Sequence, residues 1–509
     1  MGPGATAQLS LTADQEQAEA AFGAWLGAPA EGTPFVLSGY AGTGKTFLSM
    51  RLLAAAEAAG LCWTVAAPTH KAVGVLRHHL EAAGLRPTWY PATIHRLLRL
   101  KLKRQGDRER CEETAQTAAS LEHLGLVLID EASMVDSSLL EITLRCAHGF
   151  GTRLVFVGDP AQLPPVGEAC SPVFALRRCA GATLCQVVRH QGPVLQLATG
   201  IRNGSLPCRR PAPMAPRRTA KGEVACLAPE PWLEAAQAAL RRSVELDNPD
   251  HARILCYTNR ALERLVPLAR RALHGDMADQ LPVLPGEVLI SRNAVMAPAC
   301  TGGDEAAIAA AEEPDMVLGS NRELVVRDVQ PERLDLADLG LGGVDPDSGQ
   351  ALPPIDTLKA EVEAGETRLW LRLLPPAGST ARRQLDAVSQ GLRNQAREAT
   401  AAGASSEGKA LWRRFFLLRD AFASLGPAAV LTVHRSQGST FGSVFIDADV
   451  FWPADPVLRQ QLVYVAVSRA SSSVTLMAGP DDADLRRRWE RWLSADLSQD
   501  LSGEQVSAT

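Results

Sequence analysis

Gly39-Tyr40-Ala41-Gly42-Thr43-Gly44-Lys45-Thr46 follows directly on the apolar run Phe35-Val36-Leu37. A strand, a glycine loop and a helix starting near Lys45 make a cradle for a polyphosphate. Glycines let the loop bend until the backbone N–H groups of Gly42, Thr43 and Gly44 point at phosphate oxygens. Lys45 adds a positive charge toward the β/γ oxygens, and the Thr46 hydroxyl can hold Mg²⁺. The pattern predicts binding of a nucleoside triphosphate, with ATP and Mg²⁺ as the expected pair.

Leu126-Val127-Leu128-Ile129 reads as a strand and ends in Asp130-Glu131, 85 residues after Lys45. Beside a phosphate loop, the first carboxylate can hold Mg²⁺ through water. The second can polarise the water that attacks the γ-phosphate. Val157-Gly158-Asp159-Pro160-Ala161-Gln162 is another strand followed by a turn. The neutral amide of Gln162 can donate to a phosphate oxygen and accept from water. Arg189 and Arg469 lie far from the loop in sequence; a guanidinium inserted across a cleft neutralises charge in the transition state.

Two sets of short, continuous apolar runs must position these groups. Phe35–Leu37, Trp63–Ala67, Leu126–Ile129 and Leu154–Val157 form the first set. Ile254–Tyr257, Ala429–Val433, Val444–Ile446 and Val474–Met477 form the second. Unbroken apolar runs suit strands buried on both faces of a parallel sheet. Helical patterns such as Ala18–Leu26 and Phe47–Ala58 separate them, so the fold class is α/β with two tandem parallel-sheet domains. The first domain is expected over 1–94 and 125–188, and the second over 189–285 and 428–500. Residues 95–124 interrupt the first domain; Arg99–Lys103 alternates and a turn at 105–107 suits a small hairpin with a basic face. Residues 286–427 interrupt the second domain, with strands expected in Leu318–Val329 and around Trp370 and a helix over 380–402. The Pro- and Arg-rich segment 205–222 reads as a loop, and 501–509 as a flexible tail.

Across 509 residues, 46% are hydrophobic and 21% charged, with a net charge of −5. That composition is ordinary for a globular chain. A nucleic-acid site must then be a local lining rather than a global positive field. Ten cysteines are scattered without a C-x-x-C pair, which points to reduced thiols and a cytoplasmic setting. No stretch is long and apolar enough to span a bilayer, so no membrane partner is expected.

Taken in order, Gly39–Thr46, Ala67–Ala72, Thr93–His95, Asp130–Ser133, Gly158–Pro165, Gln186–Arg189, Thr432–Thr440 and Tyr464–Ala470 resemble the motifs of superfamily 1 DNA helicases. The pattern is similar to subclass B, the RecD-like and Dda-like group. The resemblance implies two RecA-like domains, a pin hairpin at 95–124, and an SH3-like β-barrel with a helical projection at 286–427. It implies that Gln15 reads the adenine edge. It also implies that Pro68, Thr69, His70, Thr93 and His95 from the first domain, and His434, Ser436, Gln437 and Thr440 from the second, touch single-stranded DNA. Hydroxyls and amides bond phosphates without reading sequence, and rings stack on bases. Implied partners are single-stranded DNA, junctions of single and double strands, and a single-strand-binding, replication or recombination protein. The implied activity is ATP-dependent 5′ to 3′ unwinding. Two alternatives stand beside it: a translocase that displaces proteins without efficient unwinding, and a non-catalytic subunit of a larger complex. The first draws on the insert 96–123, which contains no Phe, Tyr or Trp where an aromatic wedge is expected.

Overall fold

The computed structural model describes residues 11–29, 32–105, 108–165, 167–187, 192–296, 316–339, 341, 353–365 and 367–494. Two compact units divide the chain. One is drawn from Met1–Leu100, Glu113–Leu265 and Val430–Thr509, the other from Lys101–Glu112 and Val266–Ala429. Among the described residues no helix is long and apolar enough to cross a membrane.

The first unit begins with helix α1 (Ala13–Gly27), opened by a capping box in which Thr12 and Gln15 satisfy each other's backbone. Strand β1 (Phe35–Gly39) leads through the glycine loop into α2 (Lys45–Ala58). Then come β2 (Trp63–Ala67), α3 (His70–Ala83) and β3 (Ala92–Thr93). The hairpin β4 (Lys101–Gln105) and β5 (Arg108–Glu112) belongs to the other unit. The first sheet resumes with β6 (Leu126–Ile129), β7 (Arg153–Gly158) and β8 (Ala180–Leu184). Its order is β3-β2-β6-β7-β1-β8, and every pairing is parallel. Alternate residues serve alternate faces. Phe35, Leu37, Leu126 and Leu128 join one buried cluster with α1, α2 and α3, while Val36, Val127 and Ile129 join a second with the helix Ser137–Phe150. This two-sided burial is the physical reason that the strands read as unbroken apolar runs.

The second sheet starts at β9 (Met214–Thr219), β10 (Gly222–Leu227) and β11 (Ala252–Cys256). The later part of the segment read as a loop at 205–222 is therefore strand, from Met214 to Thr219. Pro216 is tolerated because β9 is the edge of its sheet, where one side of the backbone needs no ladder partner.

The chain then builds the second unit. Strands β12 (Val288–Ser291), β13 (Val295–Met296), β14 (Met316–Leu318), β15 (Glu323–Leu334), β16 (Ile355–Ala364), β17 (Thr367–Arg372) and β18 (Leu425–Pro427) follow in turn. Five of them form an antiparallel sheet in the order β17-β16-β15-β12-β18. A bridge between Leu373 and Ala423, just beyond β17 and just before β18, joins the two edges and closes the sheet on itself. Two helices, Thr380–Ala401 and Ser405–Asp420, pack as a hairpin between those edges in sequence. The helix expected over 380–402 is present. Within the expected pin, Arg99 has φ 52° and stands outside the hairpin, which runs from Lys101 to Glu112; the turn residues 106 and 107 lie outside the described residues.

The first unit is completed by β19 (Val430–Thr432), β20 (Phe441–Ile446) and β21 (Ala470–Met477). The second sheet runs β19-β11-β20-β21-β10-β9, parallel except for β9 against β10.

Candidate nucleotide site and DNA track

The glycine loop is held in shape by its own carbonyls. Gly44 caps α2 with φ 81°, a left-handed conformation that a side chain strains. A β-carbon on Gly39 would meet Leu184 Cβ and Thr43 Oγ1 at 2.9 Å each. Lys45 Nζ donates to the carbonyls of Gly39 (2.7 Å) and Tyr40 (2.9 Å). Burial holds the Lys45 amine below its usual range, opposed by Asp159, Glu131 and Asp130.

Around this loop lies a cavity of about 560 Å³. Gly42, Gly44, Lys45, Thr46, Asp130, Glu131 and Gln162 from the first sheet meet Arg469 from the second there. Asp130 is pushed up to about 7, first by burial and then by repulsion from Glu131. Gln162 is 5% exposed, and its Oε1 is buried with no protein partner. An orphaned acceptor of that kind suits a water or phosphate-bound proton. Arg469 is 5% exposed and is aimed by three bonds: Nε to the Val465 carbonyl (3.2 Å), Nη1 to the Ser439 carbonyl (3.3 Å) and Nη2 to Ser468 Oγ (2.9 Å). Arg189 lies outside the described residues.

Two nucleotide candidates do other work. Gln15 is buried; its Nε2 donates to the Thr43 carbonyl (3.0 Å) while Oε1 accepts from the Thr12 N–H (3.1 Å). It ties α1 to the glycine loop and is not among the cavity-lining residues. Thr43 is 1% exposed, and its hydroxyl donates to the Tyr40 carbonyl.

The proposed DNA residues are only partly gathered. Pro68, Thr69 and His70 follow β2, while Thr93 ends the adjacent β3 and His95 follows it, so they share the carboxyl edge of the first sheet. Thr69 and Thr93 each cap a helix, accepting from Ala72 and Arg96 N–H groups. Burial lowers His95 below the usual histidine range. On the second sheet, His434 is exposed just past β19, with its ring 6.1 Å from that of Tyr257 just past β11. Ser436 must be withdrawn from the set. It is fully buried, and its hydroxyl donates to the Val433 carbonyl (2.8 Å). Gln437 is also buried, with Nε2 3.4 Å from the Leu163 carbonyl of the first lobe. Thr440 faces the nucleotide cavity instead.

Sequence reasoning overlooked Lys71, Asp250 and Ser439, which line the same cavity. Lys71 sat inside a quoted motif; its place one residue into α3, at a strand's carboxyl edge, was the available signal.

A glycine-loop lobe and a second parallel-sheet lobe, with Arg469 of the second lining the cavity around the phosphate loop of the first, make a P-loop nucleotide-binding fold of two parallel-sheet α/β lobes. The family model of the AAA domain matches residues 12–211, and that of the UvrD-like helicase C-terminal domain matches 427–477. The ATP-dependent RecD2 DNA helicase of Deinococcus radiodurans is 35% identical over 175 residues, 34% of this chain and 22% of that one. The ATP-dependent DNA helicase dda of Enterobacteria phage T4 is 24% identical over 444 residues, 86% of this chain and 93% of its own. This chain thus spans about a fifth of the first relative and nearly all of the second. The crystal structure of a Bacteroides Pif1 helicase in complex with ADP-AlF3 and ssDNA aligns with 95% of this chain and 98% of that one, at 14% identity and a TM-score of 0.45. Over these stretches the chain is similar to the Dda- and RecD-like helicases of superfamily 1, subclass B.

Proposed function

We propose that the chain hydrolyses ATP when bound to single-stranded DNA, moves along the strand 5′ to 3′, and opens duplex in its path. The observation that carries this reading is the convergence of Lys45, Thr46, Asp130, Glu131 and Gln162 from one sheet with Arg469 from the other on one cavity.

Loop N–H groups and Lys45 bind the phosphates. Thr46 and Asp130 supply the oxygen donors that a hard divalent ion such as Mg²⁺ takes, and that ion would neutralise charge on the β- and γ-oxygens. Glu131 accepts a proton from the attacking water, and the Gln162 amide orients that water. Arg469 stabilises charge on the γ-phosphoryl group only when the lobes are closed, a contribution of ~10³–10⁵ in rate for such guanidinium groups. Cleavage removes the group that Arg469 binds, so the lobes relax. DNA held by Thr69, His70, Thr93 and His95 on one lobe and His434 on the other is then passed along in steps.

The test is strand separation on duplexes with matched 5′ and 3′ tails, run beside ATP turnover with and without oligonucleotide. Unwinding of the 5′-tailed substrate alone is expected. Turnover indifferent to DNA overturns the reading, and unwinding from the 3′ tail overturns the polarity. A second reading, translocation without efficient unwinding, is favoured by the absence of any aromatic residue from 96–123. Displacement of streptavidin from an end-labelled strand without duplex opening would establish it.

A further inference from the structure

The nucleotide reading leaves a buried bridge between the lobes at Tyr464 unexplained. Tyr464 belongs to the helix Pro456–Ser468 of the second lobe and is 2% exposed. Its hydroxyl donates to Asp159 Oδ2 (2.8 Å) and accepts from the Ala41 N–H (3.0 Å). Ala41 is in the glycine loop. Asp159 is fully buried at the end of β7; its Oδ1 accepts from the Ala161 N–H (2.9 Å), and its carbonyl accepts from the Gln162 N–H (3.2 Å). One phenol therefore joins the phosphate loop to the turn that presents Gln162.

The same helix reaches the loop by a second route. The Arg202 guanidinium stacks 3.5 Å above the centre of the Tyr40 ring. Gln460 Nε2 donates to the carbonyls of Ile201 (2.7 Å) and Arg202 (2.9 Å), fixing the end of the helix that carries that arginine. Gln460, Tyr464 and Arg469 thus move as one rigid piece, since four- and five-residue spacings keep them along one helix and its cap.

We propose that Tyr464 is a positioning residue for ATP hydrolysis. With Arg202 as its accessory, it sets the glycine loop and the Gln162 turn in register with Arg469, so that closure of the second lobe makes the loop competent. A hydroxyl suits this post because it donates and accepts at once, matching an amide N–H on one side and a carboxylate on the other. A bond to a charged group is stronger than a neutral one, and unpairing both partners in a buried place is costly. The inference rests on the ATPase reading above.

Tyr464→Phe keeps the ring and loses both bonds. DNA-stimulated kcat should fall about tenfold, the order that one charge-assisted hydrogen bond supports, with KM for ATP held within about twofold. Arg202→Ala should lower kcat less, and the double variant should fall short of the product of the two, because both act on one loop. A purely structural phenol would lower the melting temperature and leave kcat per folded molecule at the wild-type value, and that result overturns the proposal. Should Tyr464→Phe not fold, Asp159→Asn serves, with the same kcat loss expected and an unchanged kcat overturning the proposal. Wild-type turnover that ignores oligonucleotide would instead sink the ATPase reading, so the two failures are distinct.

Discussion

The backbone N–H of Glu131 donates to Asp130 Oδ1 across 2.8 Å, so the first of two successive carboxylates is pinned by the second residue's own backbone. The chain turns sharply there. Glu131 has φ 52° and ψ 43°, left-handed values that a side chain adopts at a cost of ~1–3 kcal/mol. The turn separates the two acids in role: Asp130 stays with the strand end, and Glu131 Oε1 comes within 3.7 Å of where a β-carbon on Gly438 of the second lobe would stand. Two substitutions at this residue should both stop hydrolysis but differ in their effect on stability. Glu131→Gln keeps the shape and removes the base; hydrolysis should fall by ~10²–10⁴, with ATP still bound. Glu131→Gly should also abolish hydrolysis while raising unfolding stability by about 1 kcal/mol through relief of the strained backbone. A denaturation midpoint below wild type for the glycine variant would show that the left-handed turn carries no strain.

Lys45 tests the phosphate assignment. Its amine is buried, satisfied by two loop carbonyls, and surrounded by Asp159, Glu131 and Asp130. Lys45→Ala removes the one flexible cation on the loop, and ATP turnover should drop by at least ~10²-fold, the usual loss on removing one preorganised charge donor. Single-strand affinity, which rests on other residues, should stay within a few-fold of wild type. Turnover near the wild-type rate in a steady-state assay would remove Lys45 from the reaction.

The sequence disclosed the strands whose two faces are both buried, because such strands are dominated by apolar residues. It disclosed the glycine loop because each position has a backbone reason. It hid β8, whose run Ala180-Gly181-Ala182-Thr183-Leu184 is small rather than bulky; a β-carbon on Gly181 would lie 2.4 Å from the Val36 carbonyl oxygen. It hid β9 behind Pro216, Arg217 and Arg218, which an edge strand tolerates. The motif resemblance assigned Ser436 to DNA, whereas the local turn claims that hydroxyl first. The Tyr464 bridge was invisible because its partners are 305 and 423 residues away.

Asp449 lies outside the nucleotide cavity and holds the segment that carries Tyr257. Fully buried, it accepts from the N–H groups of Tyr257 and Thr258 (2.8 Å each) and from the Thr258 hydroxyl (2.9 Å). Burial pushes its carboxyl above the usual range, and the backbone donors oppose the shift. Asp449→Ala strands those donors and should cost roughly 2–4 kcal/mol of stability. Because the released loop carries Tyr257, single-strand affinity should weaken as well. Chemical denaturation and fluorescence anisotropy on the same sample check both; full stability would mean that other groups hold the loop.

His434 and Tyr257 emerge side by side because Cys256 and Thr432 are register partners on adjacent parallel strands. Their rings, tilted by 33°, offer a ledge at the carboxyl edge of the second sheet. His434 is exposed as a residue, yet the groups packed around its ring desolvate the imidazole and lower it below the usual histidine range, which favours stacking over salt-sensitive attraction. His434→Ala should therefore weaken single-strand binding by about tenfold, since one base stacked on a ring is worth ~1–3 kcal/mol. Nucleotide affinity should be unchanged, and the slope of DNA affinity against salt should match wild type, because no phosphate contact is lost. A flatter salt slope in the variant would show that the imidazole binds as a cation; unaltered affinity and normal DNA-stimulated turnover would place the strand elsewhere on the sheet edge.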